Sequence, residues 1–130
     1  MSFDWSEYVE LAEKLIEQEK DEKIESAYYR SSVSRSYYGT YCLARDLLLS
    51  KGFNIPRTNT HMAVREAFQQ GSNRVIKQVG EGLGRLWSER KNADYDAPNS
   101  FDKVRAEKAL KLAKKLLKLY SEAKVQEVAP

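Results

Sequence analysis

One histidine, one cysteine and a polar run, RKNADYD, hold most of the chemistry open to this chain of 130 residues. His61 is the only histidine, so any Ser-His-Asp triad would have to use it, and a multi-histidine metal site is excluded. At a helix start it reads either as a hydrogen-bonded structural residue or as a proton-transfer group. Cys42, the single cysteine, excludes an internal disulfide and a cysteine-based zinc site. Nothing near it in sequence would lower its pKa, so it reads as inert packing. GEGLG at residues 80–84 lacks the preceding strand and the spacing of a phosphate loop. No cofactor is expected.

The strongest constellation joins Arg35 to Arg90, Asp94, Tyr95 and Asp96. Ser26 to Ser50 reads as a central helix, with no proline, one glycine and apolar residues on most sides, as in a helix enclosed by others. At seven-residue spacing Tyr28, Arg35, Cys42 and Leu49 share a line, with Arg35 midway along it. A guanidinium cannot neutralise itself by losing a proton, so Arg35 is expected inside the bundle with Asp94 or Asp96 as its counter-ion. Two readings stay open. One is a buried ion-pair network that fixes the register of the bundle. The other is a polar pocket at a helix end where Arg90 binds phosphate. Tyr28, Tyr29, Tyr37, Tyr38 and Tyr41 likewise serve either as core and dimer interface or as stacking platforms for bases.

The elements that must position these groups are all helical. Residues 4–18 carry Trp5, Tyr8, Ala12, Leu15 and Ile16 at three- and four-residue spacing. A turn is expected near Glu19 to Glu22, with Asp21 as N-cap, because one helix running on to Ser50 would be about 70 Å long. Gly52 ends the central helix, and Phe53 to Arg57 forms a loop. Thr60 caps a short helix, His61 to Gln70, which Gly71 stops. Ser72 or Asn73 starts the next helix, whose Gly80 and Gly84 permit close approach of a neighbouring helix or protomer. That helix ends in Arg90 to Asp96. Asn99 or Ser100 caps the last one, which runs to about Ala123 with Val104, Ala109, Leu112, Leu116 and Tyr120 facing inward. The tail from about residue 124 is expected to fray. The fold predicted is all-α, an up-and-down bundle of four long helices with one additional short helix, forming one domain over residues 1–130.

Composition agrees: 42% hydrophobic, 32% charged and a mean hydropathy of −0.67 suit a soluble domain. No apolar run reaches bilayer length, so no membrane association is expected. Met1 to Trp5 shows neither a basic n-region nor an apolar h-region, which points to the cytoplasm. The net charge is only +3, but it is unevenly spread. Acids from Asp4 to Glu25 crowd the front, and Lys103, Arg105, Lys108, Lys111, Lys114, Lys115 and Lys118 crowd the back. These read as solvated faces of helices that pack near each other, or as a basic ridge for nucleic acid.

Three segments resemble a known family. SVSRSYYGTYCLAR (residues 32–45), THMAV followed by Phe68 (from Thr60), and RKNADYD (residues 90–96) are similar in order and spacing to the signatures of small, free-standing prokaryotic HEPN domain proteins. The resemblance implies a helical bundle, a two-fold homodimer and a minimal nucleotidyltransferase as partner in a toxin–antitoxin-like pair. It also implies a cleft for RNA or a nucleotide. In that cleft Arg90 holds phosphate, Asp94 and Arg35 fix the helix end, and Tyr95 and Tyr38 line the walls. Many HEPN domains are metal-independent ribonucleases whose motif is an arginine followed shortly by a histidine. Arg90 matches the arginine, but no histidine follows it, and Tyr95 stands where one would be. A tyrosine of pKa ~10 is poorly suited to proton transfer near neutrality. An active ribonuclease using Arg90 and His61 therefore requires the fold to bring those two together. The third reading is a non-catalytic protein-interaction module.

Overall fold

The computed structural model describes residues 2–18 and 20–123. Its helices are α1 (Ser6–Glu17), α2 (Glu25–Ser50), α3 (Thr60–Gln69), α4 (Arg74–Tyr95) and α5 (Lys103–Ala123), with a 3₁₀ turn at Glu22–Ile24. Four are long and α3 is short, and no strand is present among the described residues.

α2 is the post around which the others stand. Val33, Tyr37, Thr40, Ala44 and Leu48, spaced by three or four residues, are all fully buried. Ser32, Ser36 and Thr40 are buried as well, so small side chains let helices close on α2 from several directions. α1 crosses most closely at Gly39, where a Cβ would lie 2.8 Å from Val9 Cγ2 and 3.1 Å from the Trp5 carbonyl. The Ser32 hydroxyl donates to the Ala12 carbonyl at 2.8 Å and ties the same pair of helices. On the other sides, Ile76, Val79, Leu83 and Leu86 of α4 and Ala106, Ala113 and Leu116 of α5 complete the core. Tyr120 anchors α5 to α2 through a 2.9 Å bond from its hydroxyl to the Thr40 carbonyl.

Helix ends follow local chemistry. Gly52 takes φ +86°, and the bonds Phe53 N–H to Leu48 O (3.1 Å) and Gly52 N–H to Leu49 O (3.1 Å) close α2 as a Schellman motif. Asn73 caps α4 by accepting from Ile76 N–H at 3.0 Å. Asp21 accepts from Lys23 N–H at 3.0 Å and so opens the 3₁₀ turn; α2 begins at Glu25, directly after that turn. Two expected caps are corrected. Thr60 lies inside the first turn of α3, where its hydroxyl donates to the Pro56 and Arg57 carbonyls, and Asn59, at φ 53°, takes the N-cap position. Asp102, in place of Asn99 or Ser100, caps α5 by accepting from Arg105 N–H at 2.9 Å.

Val104, expected inward, is 58% exposed because it lies two residues from the buried Ala106 and therefore on the opposite side of α5. The expected fraying from residue 124 lies outside the described residues, as does Glu19 of the predicted turn. The acidic and basic faces meet where Lys114 pairs with Glu13, while Lys111, Lys115 and Lys118 are exposed. Among the described residues no helix is long and apolar enough to cross a membrane.

Candidate functional site

Gly80 decides where the site forms. A Cβ there would lie 2.7 Å from Gln69 N and 3.0 Å from the Arg65 carbonyl, so bare glycine lets the backbone of α3 rest on α4. This close crossing, with the loop Lys51–Asn59, holds α3 beside α2 and leaves a cleft of about 810 Å³ between the three helices. Arg45, Arg57, Arg65 and Arg90 line it, and no carboxylate does among the described residues, although Arg45 pairs with Asp46 at 3.1 Å. Tyr38, Tyr41, His61 and Trp87 supply flat faces.

His61 packs into an aromatic stack. Its ring lies 4.2 Å from that of Tyr41 at an interplanar angle of 13°, and 5.6 Å from that of Tyr37 at 20°. Its Nδ1 is hydrogen-bonded to the Tyr37 hydroxyl. Tyr37 is fully buried, and that burial raises its pKa far above the ordinary phenol value, so the hydroxyl keeps its proton. Burial, and then the nearby Arg90 and Arg65 guanidinium groups, lowers the pKa of His61. The imidazole is thus held neutral at physiological pH.

Arg90, on the buried face of α4, is 8% exposed. Its guanidinium lies 5.4 Å from the Tyr38 ring, 5.6 Å from the Tyr37 ring and 5.6 Å from the Tyr95 ring. The Asp94 carboxylate, one turn on, approaches its Nη1 only to 3.7 Å, too long for a strong charge-assisted bond. Asp94 also accepts from the Ser34 hydroxyl at 3.3 Å. Nε of Arg90 and Nη1 of Arg65 are both buried without a hydrogen-bond partner among the described residues. Arg65 lies over the Trp87 ring at 4.5 Å, and the Lys91 ammonium lies 3.7 Å from the same ring. Cys42 borders the cleft but is buried, which raises the pKa of its thiol and leaves it unreactive.

The structure brings His61, Arg90 and Tyr38 to one cleft and separates Arg35 from it. Arg35 is only half-buried, with its guanidinium over Tyr8 (4.7 Å) and Tyr38 (5.4 Å), and it forms no ion pair among the described residues. Its expected counter-ions are engaged elsewhere: Asp94 faces Arg90 and Ser34, and Asp96 accepts from the Asn99 amide. The reason is geometric. A strict seven-residue line drifts by ~20° per heptad around a straight helix, so Tyr28 is half-buried, Leu49 is 51% exposed, and Arg35 lies at the margin of the core. Tyr95 projects outward at 78% exposure.

Sequence reasoning missed Arg45, Arg57, Arg65 and Trp87. Arg65 had a readable signal, since it follows His61 by four residues on the same face of α3. Arg57 and Arg45 had none, because the loop and the register of α2 against α3 decide their place.

No curated protein and no solved structure matches this chain. The HEPN domain family model matches residues 5–124, which takes in α1 through α5. On that match over almost its whole length, the chain belongs to the HEPN domain family.

Proposed function

We propose that the protein acts as a two-fold homodimer whose α2–α3–α4 cleft binds the phosphates of RNA or of a nucleotide, in a toxin–antitoxin-like pair with a minimal nucleotidyltransferase. The observation that carries the binding is the convergence of four arginines on a cleft with no carboxylate among the described residues of its walls. Two of them hold buried N–H groups without acceptors among the described residues. Arg45 faces Asp46 at 3.1 Å and Arg90 faces Asp94 at 3.7 Å, whereas Arg57 and Arg65 form no ion pair among the described residues. Guanidinium groups with spare donors attract and orient an anion, and the faces of Tyr38, Tyr41 and Trp87 provide surface on which bases stack. Arg90 holds phosphate in this reading, with Asp94 beside it. The homodimer and the transferase partner rest on the resemblance of the three motifs and on family membership.

Anisotropy of a labelled single-stranded RNA, read against salt concentration, tests the cleft. Arg57→Ala and Arg65→Ala should each weaken binding and flatten the salt slope by about one phosphate contact. No binding at low salt, where electrostatic contacts are strongest, would leave a protein-interaction module as the better reading. The exposed Tyr95 hydroxyl suits it as the acceptor of a nucleotidyl group from the partner. Mass spectrometry after co-expression with the transferase checks this, and an unmodified Tyr95 removes the idea.

A second reading, a metal-independent ribonuclease, is favoured by one observation: His61 and Arg90 line the same cleft. RNA cleavage in the presence of a chelator, lost in both His61→Ala and Arg90→Ala, would support it. Cleavage unchanged in both variants would end it.

A further inference from the structure

The bond between Tyr37 and His61 fixes more than a ring orientation. Tyr37 is 0% exposed, and its hydroxyl has one partner among the described residues, Nδ1 of His61. A buried phenol that keeps its proton must donate it, because a hydroxyl hydrogen left without an acceptor costs a full desolvation penalty. Nδ1 must then supply a lone pair. Neutral imidazole carries one proton, so that proton resides on Nε2. With the Nδ1 edge turned to the buried tyrosine and His61 lining the cleft, the nitrogen left to face a ligand is a donor.

We propose that Tyr37 is a positioning residue that locks His61 as the Nε2–H tautomer, so that the histidine offers a ligand phosphate a hydrogen-bond donor beside Arg65 and Arg90. The inference rests on the reading of the cleft as an anion site and assigns a role within it. The titratable and charged groups around the imidazole are Tyr37, Tyr38 and Tyr41 from α2, Arg65 from α3 and Arg90 from α4. None is a carboxylate. Among the described residues no carboxylate bonds either imidazole nitrogen, so none draws a proton onto Nδ1 or competes with phosphate for the Nε2–H. The same lock bears on the ribonuclease reading. In this tautomer Nε2 has no lone pair with which to take a proton from a 2′-hydroxyl.

Because His61 is the only histidine, its ring nitrogens can be read without assignment in a two-bond ¹H–¹⁵N correlation of the full ¹⁵N-labelled chain above neutral pH. The expected pattern is a protonated-type Nε2 and an unprotonated-type Nδ1. Adenosine 5′-monophosphate should shift Nε2 saturably, and adenosine, which lacks the phosphate, should not. Tyr37→Phe keeps the ring and removes the lock. It should let the Nδ1–H form appear and weaken the monophosphate roughly five-fold, the worth of about one neutral hydrogen bond. A dominant Nδ1–H form in the unaltered protein would overturn the lock whatever the ligand does, and needs no variant to fold. An intact Nε2–H pattern with no response to the monophosphate would overturn the phosphate assignment together with the anion reading of the cleft. Equal shifts with adenosine would overturn the phosphate assignment alone.

Discussion

Arg30, in the second turn of α2, donates through Nη1 to the Ala93 carbonyl at 2.8 Å and so closes the C-terminal end of α4 from outside that helix. The same guanidinium reaches the carbonyls of Asp96 (3.2 Å) and Ala97 (3.3 Å) and that of Asn99, and it lies 4.8 Å from the Phe101 ring. The last carbonyls of a helix have no partner within it, and a cation there also meets the negative end of the helix dipole. One side chain thereby holds the turn that carries Arg90, Asp94 and Tyr95.

Arg30→Ala should accordingly destabilise the fold by about 2 kcal/mol, since several carbonyls lose a charged donor at once. For a domain of this size that lowers Tm by roughly 8 °C. Arg30→Lys should fall between, because an ammonium cannot span the same carbonyls as the planar fork. A melt of Arg30→Ala that overlays the parent would show the clamp to be idle.

The bundle itself was legible because its signals are local. The proline-free stretch from Ser26 to Ser50 with its single glycine, the glycine at position 52 and the asparagine at position 73 act within a few turns. The cleft was only partly legible. Arg90, Tyr38 and His61 could be named, yet the buried charge was assigned to Arg35, because that choice turns on which flank of α2 meets α4 and which meets Tyr8 of α1. Such a choice is made by packing across tens of residues. Arg30 was missed for the same reason: its acceptors lie more than 60 residues away in sequence.

Two glycines of α4 should respond with opposite sign. Gly80→Ala drives a methyl to 2.6 Å from Gln69 Cγ and 2.7 Å from Gln69 N, and although the side chain can turn, the backbone atom cannot swing aside. Overpacking of this kind costs about 1–3 kcal/mol, and relief requires α3 to shift, which would also disturb His61 and weaken ligand binding. At Gly84 the nearest atom is Arg65 Cδ at 3.6 Å, an ordinary contact. Gly84→Ala should then stabilise by about 0.5–1 kcal/mol through helix propensity alone. Equal effects in denaturant unfolding would refute the proposed close crossing.

Acidification should expose the buried state of His61. Its pKa lies below the ordinary 6.5, owing first to burial and then to Arg90 and Arg65. On lowering the pH through 6.5 the unfolded chain takes up the proton before the folded one does. The contribution to stability is therefore complete above 6.5 and is lost as pH falls through the depressed value of the folded state. Chemical denaturation at stepped pH should show this slope in the parent, and His61→Asn should remove it. A slope unaltered in His61→Asn would assign it to carboxylates.

Arg90→Met decides whether the buried cation holds the bundle together or serves a ligand. Arg90 is 8% exposed, and among the described residues its nearest carboxylate is 3.7 Å away and its Nε has no partner. Burial of a charge with so little compensation is costly, and an apolar side chain of similar length removes that cost while filling the space. Were Arg90 the register-setting member of an ion-pair network, its loss would destabilise by about 3 kcal/mol or more. The observed geometry points the other way: Arg90→Met should leave stability unchanged or raise it by about 1 kcal/mol, abolish RNA binding and raise the pKa of His61 by removing a neighbouring positive charge. Urea unfolding, RNA anisotropy and the His61 titration measure the three effects on one protein. A markedly destabilised variant that still binds RNA would make Arg90 a structural residue and empty the cleft of its central cation.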